Sequence, residues 1–219
     1  MIEVHRVVED QAKLTSYRAT QDEEKAIQLE ILIDLTKPPM PKLGWHDLVA
    51  TPFRYDLPVM PQFQARFRPP YFSKNVFYSS GIIETALFEY SYHMMRQRIH
   101  LQVGKRRVKN ETGIRTGFSV DADDSAAVGI HSLGNAAAIL DKADYSASHT
   151  FVKSDPNINF IVYPSVRDPK HRDNMAIMNI SFLSPKIKAE RQLNFFYDYK
   201  KKKVTWIDEK LSIEWNQVC

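Results

Sequence analysis

At 219 residues, 43% of them hydrophobic and 26% charged, the chain can bury a substantial core in one α+β domain. That composition excludes a disordered or fibrous protein. The one cysteine, Cys219, excludes an intrachain disulfide and a cysteine metal cluster, and no run approaches the length of a membrane-spanning helix. A net charge of +4 suits an anionic ligand, whether a dinucleotide or nucleic acid. Met1–His5 shows no signal-peptide apolar region, so the expected location is cytoplasmic.

Residues 1–50 read mostly as helix. Thr20-Gln21-Asp22-Glu23 has the form of a capping box, followed by Ile27, Ile31, Leu32 and Leu35 on roughly one face, and Lys37-Pro38-Pro39 ends the helix. This stretch is expected to pack on the domain as an amphipathic extension. The composition shifts between Thr51 and Pro70, where Arg54, Arg66 and Arg68 stand among prolines and aromatic residues. Arginines in stiff, ring-flanked segments suit bidentate contacts to phosphate or carboxylate. They equally suit a solvated loop with guanidinium groups stacked on neighbouring rings.

Asn75–Tyr78 reads as a short strand, and Ser80-Gly81 opens a helix to about Arg98. Ile83, Leu87, Tyr90 and Met94 form its apolar face, which leaves Glu89 on the polar side with Thr85, His93 and Arg96. Residues 101–117, with Lys105, Arg106, Arg107, Lys109 and Arg115, read as an exposed hairpin or mobile loop. Phe118–Asp121 suits a strand and Tyr145–Lys153 a short helix. Ile158–Val162 forms an apolar, β-rich run that stops at Pro164, so Ser165 falls where a buried strand gives way to a turn. Rigid scaffolds often present chemistry at such strand ends. Met175–Ile180 is a further apolar run. Leu193–Tyr199 and Val204–Ile207 flank a solvated Lys200–Lys203 turn.

Five short motifs occur in order: Arg54-Tyr55, Arg66-Phe67-Arg68, Phe77-Tyr78-Ser79, Glu84–Glu89 and Tyr163–Arg167. Together they resemble the RES domain over about Leu48 to Ile180. The resemblance implies an α+β fold of the ADP-ribosyltransferase-like kind, a mixed sheet core with flanking helices. It divides the chain into a helical N-terminal extension, 1–47, and a catalytic domain, 48–219. It further implies cleavage of the nicotinamide–ribose bond of NAD⁺ by phosphorolysis, hydrolysis or ADP-ribosyl transfer, with inorganic phosphate as one co-substrate and no metal. The partner it implies is an Xre-like antitoxin, with nucleic acid reached only through that antitoxin and no membrane involved. Residue by residue, the resemblance makes Glu89, Arg66 and Ser165 catalytic. Arg54, Tyr55 and Tyr78 become substrate-binding residues, with Arg68 an alternative to Arg66 in the same triplet. The segment from Pro69 to Ser73 departs from the family pattern by lacking a glycine.

The residue types suit that chemistry. Loss of nicotinamide develops positive charge on the ribose, which a carboxylate such as Glu89 can stabilise, while arginines hold the pyrophosphate. No serine-hydrolase constellation accompanies Ser165, and neither G-x-G-x-x-G nor a Walker sequence is present. Two other classes compete with this enzyme. One is a basic nucleic-acid-binding protein using Lys105–Lys109 and Lys200–Lys203, whose binding would fall steeply with salt and ignore NAD⁺. The other is a catalytically silent interaction module of the same fold.

Overall fold

In a computed structural model, residues 1–9, 22–55, 60–61, 64–103 and 110–219 are described. The basic run Lys105–Lys109 lies outside them. The chain opens with a strand, β1 (Ile2–Glu9), where the sequence reads as helix. Val4, Val7 and Val8 are β-branched and stiff at χ1, and each packs against a neighbouring strand or helix. The expected helix forms later, as α1 (Glu23–Leu35). Its N-cap is Asp22, whose side chain accepts a hydrogen bond from the Lys25 backbone N–H at 3.2 Å. The amphipathic packing expected of α1 is not observed: Ala26 is its buried residue, while Ile27, Ile31, Leu32 and Leu35 are all exposed.

A short helix α2 (Asp47–Ala50) runs into a 3₁₀ turn, Thr51–Phe53. Strand β2 (Phe77–Ser80) then leads through Gly81 into α3 (Ile83–Val103), which continues one turn past its expected end. Residues 111–122 are a long strand, β3 (Glu111–Ala122), not a loop. Its length is imposed by pairing, because β1 covers one edge from Glu9↔Arg115 to Ile2↔Ala122. The remaining elements are β4 (Val128–Gly129), α4 (Ala136–Ile139), α5 (Ser146–Ser154), β5 (Phe160–Pro164), β6 (Asp173–Ile177), β7 (Leu183–Asp198), β8 (Lys203–Trp206), β9 (Leu211–Glu214) and α6 (Trp215–Val218).

The nine strands of the described residues join one sheet in the order β4-β5-β6-β2-β1-β3-β7-β8-β9. Its pairs are antiparallel except β4 with β5, so the sheet is mixed and the fold class is α+β, as expected. β1 therefore sits near the middle of the sheet, between β2 and β3, rather than in an appended layer.

Alternation along the strands sends side chains to two faces. Val4, Phe77, Phe118, Val120, Phe160, Met175 and Ile177 build the core on one face. The opposite face carries two separate cores. In one, Leu87, Met94 and Met95 of α3 pack with Val7, Leu193, Phe195 and Trp206. In the other, Phe67, Ile139 and Val152 pack with Ile161, Tyr163 and Ala176. The gap between these two cores, floored by β1, β2 and β6, is where a cleft opens.

The α3 side of the gap depends on Trp206. It is fully buried, donates Nε1–H to Ser91 Oγ at 2.9 Å, and meets Tyr90 edge-to-face with centroids 6.0 Å apart. Trp206→Ala is expected to destabilise the fold by about 3–5 kcal/mol, read as a lower denaturant midpoint in an unfolding titration.

Candidate active site

A cleft of about 360 Å³ lies between the two cores. Its lining includes Arg66, Tyr78, Glu89, His93, Tyr145, Tyr163 and Arg167. Each arrives for a local reason. Glu89 sits on the polar side of α3, one turn before His93, because Leu87 and Met94 commit the opposite side to the core. Tyr78 alternates with buried Phe77 on β2, and Tyr163 is the residue before the last of β5, Pro164. Tyr145 stands at the entry to α5.

Glu89 is held by two side chains. Ser165 Oγ donates to Glu89 Oε1 at 2.6 Å, and Asn174 Nδ2 donates to the same oxygen at 2.6 Å. Ser165 is fully buried and its oxygen accepts the backbone N–H groups of Arg167, at 3.2 Å, and Asp168, at 3.0 Å. With both acceptor positions taken, its proton is directed at the carboxylate. Asn174 is oriented in turn by Ser80, whose Oγ donates to Asn174 Oδ1 at 2.6 Å. Ser165 thus positions Glu89 and does not line the cleft.

The turn that carries Ser165 is itself anchored. Asp168 accepts from Thr85 Oγ1 at 2.7 Å, Arg172 Nε at 2.6 Å and the Lys170 N–H at 2.9 Å, and Arg172 also bonds Glu84. The turn is therefore fastened to the first turn of the helix that bears Glu89. Burial pushes the Asp168 carboxyl up, but the bonds from Arg172, Thr85 and Lys170 outweigh it and hold it below its ordinary value.

Two buried arginines border the carboxylate. Arg66 donates Nη1–H to the Ile139 carbonyl at 2.7 Å and lies 5.1 Å over the Tyr145 ring. Arg167 lies 3.6 Å over the Tyr92 ring and donates to the carbonyls of Val218, at 2.9 Å, and Lys142, at 3.4 Å. Neither forms an ion pair with a carboxylate among the described residues. His93 is open to the cleft but surrounded by protein. Desolvation lowers its pKa, Glu89 raises it and Arg167 and Arg96 lower it further, for a net shift downward. Burial raises the phenols of Tyr78 and Tyr163.

The structure brings Arg66, Tyr78 and Glu89 together at the cleft, with Ser165 directly behind Glu89. Arg54 and Tyr55 are placed elsewhere. Arg54 bonds the Pro38 carbonyl and pairs with Asp34 of α1 at 2.9 Å, while the carbonyl of Tyr55 accepts from Asn75 Nδ2 at 2.7 Å. Arg68 also turns away, to Asn75 Oδ1 at 2.6 Å. Within the Arg66-Phe67-Arg68 triplet the residue at the cleft is Arg66, since Phe67 is buried in the core and a tight turn closed by the Ala65–Arg68 bridge separates the two arginines.

Residues 39–198 match the RES domain. The chain belongs to the RES domain family. RES domains are NAD-related, toxin-type domains. No curated protein matches the chain. The RES match begins after β1 and α1 and stops before β8, β9 and α6, although β1, β8 and β9 are integral to the sheet. Asn174, His93, Tyr145 and Arg167 were not assigned roles from sequence. Arg167 had a visible signal in its place two residues after Ser165, whereas Asn174 becomes evident only once β6 pairs with β2.

The anchoring of the Ser165 turn has a pH signature. Asp168 binds its proton less readily folded than unfolded, so the stability it contributes is present above its ordinary pKa of 3.8 and is lost as pH falls through the lower folded value. Urea midpoints measured from neutral pH into this acid range should fall in the wild type. The fall should be shallower in Asp168→Asn, which starts from a lower midpoint.

Proposed function

We propose that this RES chain cleaves the nicotinamide–ribose bond of NAD⁺ and passes the ADP-ribosyl group to an oxygen acceptor. The observation that carries this reading is the pairing, in one cleft, of two buried arginines, which form no ion pair with a carboxylate among the described residues, with a carboxylate fixed by Ser165 and Asn174. Uncompensated buried guanidinium groups are costly unless an anion supplies the missing charge. A dinucleotide pyrophosphate does so, and Arg66 and Arg167 each retain N–H groups for it. Tyr78 and Tyr145 offer aromatic surface to a base or to the nicotinamide ring.

In this mechanism the bond from ribose C1′ to the pyridinium nitrogen breaks with its electron pair going to neutral nicotinamide. The oxocarbenium charge left on the ribose faces Glu89, whose orientation is preset by two hydrogen bonds and needs no reorganisation. An acceptor oxygen then bonds to C1′; a phosphate oxyanion does so directly, whereas water or a hydroxyl gives up its proton to Glu89 or to solvent. Phosphate, water and a protein side chain are the acceptors considered, giving phosphorolysis, hydrolysis or ADP-ribosylation. An ADP-ribosyltransferase-like arrangement of the sheet, cytoplasmic action as the toxin of a pair, and an Xre-like antitoxin partner belong to the same proposal. Arg54 serves it indirectly, by tying α1 and the Pro38 connector to the domain.

Incubation with NAD⁺, with and without phosphate, followed by mass spectrometry of the products, tests the reading directly. Free nicotinamide should appear together with ADP-ribose or its 1″-phosphate, and Glu89→Gln should lower the rate by about 10²-fold or more in a folded protein. Unchanged NAD⁺ after prolonged incubation would refute the proposal.

The arginines offer a separate check. Arg66→Lys is expected to reduce kcat/KM for NAD⁺ by about tenfold or more, because a point charge cannot reproduce a planar fork. Arg68→Lys, changing a residue turned toward Asn75, should reduce it far less.

A further inference from the structure

The second cleft arginine is held by a part of the chain beyond the RES match. Arg167 has five N–H groups, and two of its hydrogen bonds go to backbone carbonyls, those of Val218 in α6 and of Lys142. Its guanidinium rests on Tyr92, and that ring is stacked on Trp215, the first residue of α6, at a centroid distance of 5.6 Å and an interplanar angle of 6°. α6 is in turn fixed to the α3-side core. Val218 is fully buried there, the Trp215 N–H bonds the Lys202 carbonyl at 3.0 Å, and Glu214 and Gln217 close a capping box.

A short terminal helix could simply complete the core. Two features go beyond that. The Val218 carbonyl lies at the C-terminal end of α6, where the helix supplies no donor for it, and a buried cation fills that need. The same cation faces the cleft and forms no ion pair with a carboxylate among the described residues, so its position is set by α6, Tyr92 and Lys142 and its charge is left available. Arg167 also follows Ser165 by two residues and gives its own N–H to Ser165 Oγ. Moving its side chain therefore pulls on the turn that orients Glu89.

We propose that α6 is a positioning element of the active cleft: through Trp215 and the Val218 carbonyl it holds Arg167 as an anion-binding group and braces the Ser165–Arg172 turn. The binding half of this inference rests on the NAD⁺ reading, since the anion is the substrate's pyrophosphate or an acceptor oxyanion. The bracing half does not. Trp215 is a positioning residue and touches no substrate.

The test is a double-mutant cycle on the full chain combining Trp215→Ala with Arg167→Lys, with Trp215→Phe as the stack-preserving control. Turnover of NAD⁺ is measured alongside hydrogen exchange of residues 165–172 in the ligand-free protein. Trp215→Ala should raise KM by about tenfold with a smaller change in kcat, Trp215→Phe should stay near wild type, and Trp215→Ala should add little in the Arg167→Lys background. Exchange in the turn should rise in Trp215→Ala and not in Trp215→Phe. Should wild type leave NAD⁺ intact while exchange still responds, the NAD⁺ reading fails and the bracing stands. If the two substitutions add independently and exchange in 165–172 does not change, α6 is only a piece of core and the inference is overturned.

Discussion

The bond from Ser165 Oγ to Glu89 Oε1 is the interaction on which the site depends. It joins a strand-end turn to a helix 76 residues earlier in the chain, at 2.6 Å, and it works only because the hydroxyl oxygen is already occupied by two backbone N–H groups. A free serine would rotate among partners; this one has a single direction left for its proton. Asn174 repeats the device from the sheet side, with Ser80 fixing its amide. Glu89 thus receives two side-chain donors and is oriented before any ligand arrives, which is the condition under which a charge contributes most to stabilising a transition state.

That geometry requires the sheet order found here. β6 stands between β5 and β2, so Asn174 and Tyr163 are cross-strand neighbours, Asn174 and Ser80 are likewise paired, and β2 leads directly into α3. β1 then closes the other edge of β2 with the His5↔Ser80 pairing and extends the floor of the cleft. The basic Lys200–Lys203 turn joins β7 to β8, two strands beyond β1 and apart from the cleft residues. The arginines that matter to the cleft are instead buried ones, Arg66 and Arg167.

Local signals made some elements legible in the sequence. α3 could be read because Ile83, Leu87, Tyr90 and Met94 repeat at helical spacing, and β5 because a β-branched run stops at a proline. The placement of Glu89 on the polar side of α3 follows from the same periodicity. β1 is not legible as a strand because helix signals dominate the first fifty residues, and its pairing with β3 is more than a hundred residues distant. β3 was obscured by the positive charge at its start. Charge at a strand's end is compatible with pairing when the side chain has somewhere to go, and Arg115 lies over the Phe195 ring. Among the site residues, motif position singles out Arg66, Tyr78 and Glu89, and these line the cleft. It could not show Arg54 drawn off to Asp34, since that depends on where α1 settles. Nor could it show Ser165 facing the carboxylate instead of the cleft.

The remaining physical question is why the buried Arg66 and Arg167 should share a cleft with Glu89 without pairing to it. An Arg–Glu pair would satisfy both charges and quench the site. Here the glutamate is given neutral donors, Ser165 and Asn174, and the arginines are given neutral acceptors and rings: Ile139 and Tyr145 for one, Val218, Lys142 and Tyr92 for the other. Carbonyls and aromatic faces hold a guanidinium in place without cancelling its charge. Opposite charges therefore stay separate inside a partly desolvated space, each aimed and uncancelled. A ligand carrying an anionic centre beside a carbon that becomes cationic would satisfy both at once, and a pyrophosphate linked to a ribose that is losing its base has that form.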